Sequence, residues 1–241
     1  KLEELAQRVL QDPDKEPIIW KACNNENTVF ENVVLKDGEV DFSDSSKTQN
    51  TRASYPLNSV SNSVPSRGTD LQPKNIVFLT CDAFGILPAI ARLTPEESRK
   101  FFTVGYTSKI AGTEKGITHP VATFSPCFGL PFMTRRVSEY AEMLEDLCRK
   151  NHVNCWMLNT GWTNGPYGVG ERISIKDTRK LLEMIQNGEA SSLEIFEHPY
   201  TGMHVPEVPG VNLSLIKPEL GWEKIKDYET ACKSLFEEMY L

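Results

Sequence analysis

The chain has 241 residues, 39% of them apolar and 24% charged, which is the balance of a globular protein rather than a disordered one. Its net charge of −7 argues against a nucleic-acid backbone as the main partner, because such a partner needs a basic face. No run approaches the ~20 apolar residues that a membrane-spanning helix requires. A local basic site for an anionic small molecule is compatible with all of these values.

The six cysteines form no CxxC pair, and several lie inside apolar runs, where a free thiol behaves as a small hydrophobe. We therefore expect reduced thiols and an intracellular, cytoplasmic chain rather than a disulfide framework. The four histidines form no HExxH motif and no Cys/His cluster of the zinc type. The numbering opens on Lys1 and not on Met, which we interpret as a processed, split or truncated chain.

The front of the chain predicts a helix, a hairpin and a loop. Residues 2–11 carry an apolar stripe at helical spacing. Residues 29–35 and 39–42 flank Asp37-Gly38, the strongest signal for a two-residue hairpin turn. From Ser59 to Pro73 the sequence is rich in Ser, Asn, Pro and Gly, which predicts a loop.

The middle of the chain predicts two buried strands and two helices. The segment from Asn75 to Cys81 contains four consecutive large apolar residues, typical of a strand buried on both faces. Thr94-Pro95-Glu96-Glu97 combines an N-cap, a first-turn Pro and a capping-box Glu, so a helix should begin there. Residues 138–150 have the spacing of an amphipathic helix, and residues 153–158 form a second apolar run of the strand type.

Two further helices are expected in the last third. Leu181, Leu182, Met184 and Ile185 mark one, which Gly188 should end, and apolar residues at helical spacing over 225–239 mark the other. Strands that alternate with helices predict a mixed α/β or α+β sheet.

Chemistry is most strongly indicated after the predicted strands. The Gly-rich segment Gly161–Arg172 lies between a strand and a helix, so it is either a loop whose N–H groups approach an anion or a plain turn. It is not a P-loop, since GxxxxGK[ST] occurs nowhere in the chain. Asp82 follows the first buried strand, where sites of α/β proteins gather, but such an Asp can equally cap the next turn.

Three other segments could contribute to a site, but each also has an ordinary structural interpretation. The polar segment Lys47–Pro56 contains Arg52, and a single Arg in a polar loop is usually solvated. The polar segment Ala111–Pro120 is either a lid over a site or an exposed connection. Cys127 has no histidine beside it in the sequence, so we expect a packed, inert thiol.

Taken in order, these segments resemble the ATP-dependent phosphoenolpyruvate carboxykinases over nearly the whole chain. Several motifs in the right order are more specific than any one alone. The resemblance is carried by residues 50–52 (NTR) with 55–56 (YP), 78–85 (FLTCDAFG), 93–96 (LTPE), 105–107 (GYT), 111–114 (AGTE), 123–125 (TFS), 127–129 (CFG), 159–162 (NTGW) and 172–179 (RISIKDTR).

The resemblance implies an enzyme of gluconeogenesis, a carboxy-lyase that converts oxaloacetate and ATP to phosphoenolpyruvate, ADP and CO2 with Mg²⁺ and Mn²⁺. By the family pattern, Arg52 is the catalytic residue that contacts substrate and the γ-phosphate. Arg172 and Ile173 would line the nucleotide base, Thr178 would form a hydrogen bond nearby, and Glu16 would lie close to the nucleotide. The segment 111–120 resembles the family's mobile lid.

The family's P-loop, its metal-binding Lys, His and Asp and its amino-terminal substrate domain precede the matched region. The resemblance therefore implies that residues 1–241 are a carboxy-terminal nucleotide-binding domain portion, incomplete without its amino-terminal part. The metal ligands are expected outside this chain, and the missing portion is expected as its partner. Alone, the chain is expected to be inactive.

Three positions depart from the family pattern. Gln49 stands where the family usually has Glu, His119 where Glu is common, and Glu171 where Lys precedes the Arg. The last two change the charge near the expected phosphate path. An alternative is therefore a catalytically inactive family member that serves as a structural or binding subunit of a larger assembly.

Overall fold

A computed structural model of the chain describes residues 16–41, 44, 46, 47, 52–64, 72–110 and 116–240. The predicted helix over 2–11 lies outside the described residues. The chain divides into two compact units, the first drawn from Lys1–Gln72 and Ile110–His119 and the second from Pro73–Lys109 and Pro120–Leu241. The first boundary falls at the end of the predicted 59–73 loop, of which residues 65–71 lie outside the described part. The assignment of residues 1–241 to one domain portion stays a prediction.

The first unit consists of short elements. Two of its strands, Val34–Lys36 and Glu39–Asp41, pair antiparallel across Asp37-Gly38, whose positive φ values of 53° and 87° allow the tight turn, so the predicted hairpin is confirmed. The single strand predicted over 29–35 is wrong, because Asn32 adopts a φ of 61° and splits it. The elements are α1 (Pro17–Cys23), β1 (Val29–Glu31), β2 (Val34–Lys36), β3 (Glu39–Asp41) and β4 (Arg52–Ser54), with β1 paired to β4.

The second unit carries a five-stranded sheet, smaller two-stranded ladders and four helices among its described residues. Its strands are β5 (Asn75–Thr80), β6 (Ile90–Leu93), β7 (Tyr106–Lys109), β8 (Val121–Phe124), β9 (Asn154–Asn159), β10 (Trp162–Thr163), β11 (Glu171–Arg172), β12 (Ile195–Glu197) and β13 (His204–Pro206). Its helices are α2 (Pro95–Val104), α3 (Val137–Lys150), α4 (Ile175–Gln186) and α5 (Ile225–Tyr240).

All four helices predicted in this unit are confirmed. The α2 helix begins with the expected capping box, in which the Thr94 hydroxyl accepts from Glu97 N and the Glu97 carboxylate accepts from Thr94 N. The α4 helix ends at Gln186, and Gly188 follows it with a left-handed φ of 84°.

The sheet is mixed, as expected for the α/β class. Its order is β12-β13-β6-β9-β5, with β5 parallel to β9 and the other neighbours antiparallel. Side chains of β9 alternate between two apolar cores: Cys155 and Met157 face residues of α2, α3 and α5, whereas Trp156 and Leu158 face α4. The second unit therefore has helices on both faces of its sheet.

The prediction for the strand at 75–81 is right in position and wrong in burial. Phe78 is buried, but Leu79, whose side chain points to the opposite face of β5, is 58% exposed. Sequence periodicity reports an apolar run and carries no information about the neighbours that cover it.

Candidate functional site

The site is built where β5 and β9 end, at the carboxyl edge of the parallel pair. The two strands pair from Asn75↔Asn154 to Thr80↔Asn159, so both chains leave the sheet at the same level. Thr160 extends the pairing beyond the strands, donating its N–H (2.8 Å) and its hydroxyl (3.0 Å) to the Thr80 carbonyl. In open α/β sheets this edge is where ligands bind.

Asp82 organises the turn that follows β5. The residue is fully buried, and its carboxylate accepts from the backbone N–H groups of Phe84 (2.9 Å), Ile86 (2.6 Å) and Leu87 (2.8 Å). The Tyr106 hydroxyl donates a fourth hydrogen bond at 2.9 Å. Burial raises the pKa of this carboxyl, and the four donors oppose that rise. Of the two sequence interpretations, the structure supports the capping one.

Asn159, the last residue of β9, locks the two strand ends together. Its Oδ1 accepts from the N–H groups of Asp82 (3.0 Å) and Gly161 (2.8 Å), and its Nδ2 donates to the Leu87 carbonyl at 3.1 Å. The side chain is fully buried. Sequence reasoning assigned it no role, although a polar residue at the end of a buried apolar strand was the available signal.

The Gly-rich segment after β9 folds back on itself. Within it β10 and β11 pair antiparallel, with Trp162 opposite Arg172. A Cβ on Gly161 would lie 2.1 Å from the Asp82 carbonyl oxygen, and one on Gly170 would lie 2.2 Å from the Thr163 carbonyl oxygen. At these two positions the glycines are needed because the protein packs closely against its own backbone, which is the turn interpretation of the segment.

Arg172 is held at this edge by two contacts. Its Nε donates to the Thr160 carbonyl at 3.0 Å, and its guanidinium carbon lies 5.6 Å from the centre of the Trp162 ring. Its charge also reaches the Cys81 thiol: burial raises the pKa of that thiol, and Arg172 partly offsets the rise. A fixed cation thus stands beside the ends of β5 and β9.

The two other residues that were predicted to lie near the nucleotide base follow Arg172 in the chain. Ile173 is buried and donates its N–H to the Gly161 carbonyl at 2.8 Å. The α4 helix then begins at the N-cap Ser174, and Thr178 in its first turns donates its hydroxyl to the Ser174 carbonyl at 3.0 Å. The structure therefore groups Arg172, Ile173 and Thr178 on one segment of the second unit.

The two other predicted site residues belong to the first unit. Glu16 is the residue before α1 and forms no side-chain cap to it. Arg52 is the exposed first residue of β4, directly opposite Glu31 on β1.

The positions that depart from the family pattern fall in both units. Glu171 is exposed and accepts a hydrogen bond from Asn164 Nδ2 at 3.2 Å. His119 is exposed, with its Nδ1 3.3 Å from the Thr118 hydroxyl. Gln49 lies outside the described residues, and so do residues 111–115 of the segment expected as a lid. The buried Cys127, expected to be inert, has a pKa that burial raises.

A cavity of about 470 Å³ opens elsewhere in the second unit, between α2, α3 and α5. Apolar side chains such as Val104, Val137 and Met239 line much of it, with Arg99 and Lys100 among the remainder. None of the predicted site residues lines this cavity, so we do not assign the nucleotide to it.

Within the described part of the chain, no three His, Cys, Asp or Glu side chains are grouped as a metal site requires. We therefore derive no step of the chemistry through a metal ion held by these residues. Over the same residues, no helix has the length and apolar character needed to cross a membrane.

Comparison with known proteins identifies the family of the chain. The family model for phosphoenolpyruvate carboxykinase matches residues 6–214. The chain is 47% identical to the phosphoenolpyruvate carboxykinase (ATP) of Brucella suis and 46% identical to that of Allorhizobium ampelinum, in each case over 95% of this chain. The protein of the same name from Rhizobium meliloti is 46% identical over 91% of this chain.

These matches show the family of the chain and how much of its relatives' length the chain spans. The chain belongs to the phosphoenolpyruvate carboxykinase family. It spans 43% of the length of the Brucella suis and Allorhizobium ampelinum relatives and 41% of the Rhizobium meliloti relative.

Proposed function

We propose that the chain is part of an ATP-dependent phosphoenolpyruvate carboxykinase, and that residues 1–241 correspond to its carboxy-terminal, mononucleotide-binding portion. The observation that carries the proposal is the Arg172 guanidinium, fixed by Thr160 and Trp162 at the carboxyl edge of the parallel strand pair. A permanently charged, planar group held at that edge suits a nucleotide.

In the proposed reaction, oxaloacetate loses CO2 and leaves an enolate, whose oxygen then bonds to the γ-phosphorus of ATP while ADP leaves. Catalysis of such a transfer depends on positioning and on positive charge around the transferring group. The chain supplies this charge with Arg52, whose planar guanidinium can form paired hydrogen bonds with the γ-phosphate oxygens and a substrate carboxylate. Arg52 is exposed on β4, as a residue that meets a ligand must be.

Around the nucleotide base, we propose one contact for each of three residues. Arg172 presents its guanidinium plane, Ile173 borders the base from a buried position, and Thr178 offers its hydroxyl oxygen. Because the Thr178 hydrogen is already donated to Ser174, that oxygen would act towards a base as an acceptor, for an exocyclic amino group. Glu16 is proposed as a nucleotide-proximal carboxylate.

The proposed reaction needs groups beyond the described residues. Mg²⁺ and Mn²⁺ would neutralise the phosphates of ATP when bound, with ligands from the amino-terminal portion that we propose as partner. Six free, buried cysteines support a reducing compartment, and we propose the cytoplasm.

The test compares two substitutions in a full-length enzyme, in which this chain is combined with the amino-terminal portion proposed as its partner. We expect Arg52→Lys to lower kcat for phosphoenolpyruvate formation by about 100-fold or more, because lysine keeps the charge and loses the fork. We expect Arg172→Lys to raise KM for ATP about tenfold with kcat little changed. Arg149→Lys, in an exposed ion pair with Glu145, is the matched control and should change neither constant.

The alternative, an inactive structural member of the family, is favoured by Glu171, which places an exposed carboxylate next to Arg172. An assembled wild-type protein that binds ATP but forms no phosphoenolpyruvate would establish this alternative. An unchanged rate in Arg52→Lys would remove Arg52 from the site.

A further inference from the structure

Two buried thiols lie side by side beneath the end of α3. The Sγ atoms of Cys148, in the last turn of α3, and Cys155, the second residue of β9, are 3.5 Å apart. Each residue is only 2% exposed. The connection between them is held by the Val153 N–H, which donates to the Cys148 carbonyl at 3.0 Å.

The arrangement is close to that of a cystine. A disulfide requires sulfur atoms about 2.05 Å apart, so the two thiols need to approach by only about 1.5 Å. The Cys127 thiol faces the Val137 carbonyl oxygen at 4.0 Å, and the Cys232 thiol interacts with Tyr228. Cys148 and Cys155 are thus placed to react with each other.

We propose that Cys148 and Cys155 form a modification site, at which a peroxide converts the two thiols into an intramolecular disulfide. One thiolate attacks a peroxide oxygen, the O–O bond breaks, and a sulfenic acid forms as hydroxide leaves to become water. The second thiolate attacks the sulfenic sulfur and expels its oxygen as a second water. The thiols lose two electrons and two protons, and hydrogen peroxide is reduced to two waters.

The surroundings decide which oxidants can reach the pair and how fast. Burial, together with the neighbouring Cys155 thiol, raises the pKa of Cys148 to about 12, so little thiolate exists at neutral pH and the reaction is slow. Leu147 and His152, on either side of the buried pair in sequence, are both exposed. A small neutral oxidant therefore enters when the last turn of α3 opens locally, whereas a bulky reagent is excluded.

The bridge would join a helix to β9, an interior strand of the sheet that lies between β6 and β5. It would close a loop across residues 149–154 and hold the end of α3 on β9, the strand that ends in Asn159. The modification does not rest on the proposed function, because it needs only this unit of the chain.

The experiment detects the disulfide between Cys148 and Cys155 by mass spectrometry. The purified chain is treated with hydrogen peroxide, unfolded, alkylated and digested with trypsin. Arg149 and Lys150 separate the two cysteines, so a bridge joins peptide 137–149 to peptide 151–172. We expect that linked peptide, a mass about 2 Da lower before alkylation, two fewer alkylated thiols than the six present, and reversal by dithiothreitol.

Three variants give the controls. Cys148→Ala and Cys155→Ala should each abolish the linked peptide, and Cys127→Ala should retain it. If an alanine variant fails to fold, the peptide map of the wild-type chain still decides. Six alkylated thiols after complete consumption of peroxide, a bridge between other cysteines, or a sulfinic acid on Cys148 without a bridge would each overturn the proposal.

Discussion

At the scale of single residues, Asn159 matters because its side chain forms three hydrogen bonds, all of them to the backbone of this chain. Its oxygen accepts two N–H groups and its amide donates to one carbonyl, all buried. We expect Asn159→Ala to lower the free energy of unfolding by about 3 kcal/mol, since three buried backbone groups lose their partner.

Urea denaturation measures this change. Asn187→Ala, which removes an exposed amide after α4, is the matched control and should cost less than about 1 kcal/mol. A similar loss in both variants would mean that the buried network contributes no more than a surface contact.

Sequence alone could locate Asp82 and could not choose its role. The position after a buried strand predicted a carboxylate at the sheet edge, and both a site residue and a turn cap meet that description. The choice depended on the three N–H groups of residues 84, 86 and 87, which converge on Asp82 only once the turn is folded. Arg172 is a similar case, because its partners Thr160 and Trp162 are brought to it by the fold-back of β10 and β11.

At the scale of elements, the connection from β9 to β10 tolerates no side chain at Gly161. A Cβ there would meet both the nitrogen (2.3 Å) and the carbonyl oxygen (2.1 Å) of Asp82, which are backbone atoms that cannot rotate away. We expect Gly161→Ala to lower the free energy of unfolding by more than about 4 kcal/mol or to prevent folding.

Gly129→Ala is the control, because its Cβ would make only an ordinary contact of 3.5 Å with the end of the Met133 side chain. Thermal unfolding of both variants gives the comparison. If Gly161→Ala unfolds within a few degrees of the wild type, the turn moves to accept the methyl group and the close packing inferred for it is wrong.

Elements were predictable where the signal is local and were missed where it is not. Thr94 to Glu97 forms its capping box within four residues, so the start of α2 could be predicted correctly. The exposure of Leu79 depends on what packs over its face of β5, and the break at Asn32 separates β1, which pairs with β4, from β2, which pairs with β3. Neither arrangement can be read from the local sequence.

At the scale of the whole molecule, the nucleotide site proposed above is incomplete within this chain. The sequence contains no GxxxxGK[ST] loop, whose N–H groups would cradle the phosphates, and the proposed base-side residues form one wall. We therefore expect the 241-residue chain alone to bind ATP with Mg²⁺ more weakly than about 100 μM and to form no phosphoenolpyruvate.

Calorimetric titration and a phosphoenolpyruvate assay test this expectation. Arg172→Lys provides the internal control. Because the proposed site has only one wall in this chain, we expect the variant to release about as little heat on addition of ATP as the unsubstituted chain. Micromolar binding or measurable turnover by the chain alone would show that a second phosphate site lies within these residues.

The parallel pairing of β5 with β9 also sets an order of events during synthesis. About 80 residues separate the paired positions, from Asn75 with Asn154 to Thr80 with Asn159. At ribosomal rates of roughly 5–20 residues per second, the apolar β5 strand waits about 4–16 s for its partner. During that interval Ile76 to Leu79 form a short β-prone stretch without a charge, the kind of segment that aggregates or engages a chaperone. The strand pair at the candidate site therefore leaves the nascent chain with an unpaired, β-prone segment for several seconds before β9 can cover one of its edges.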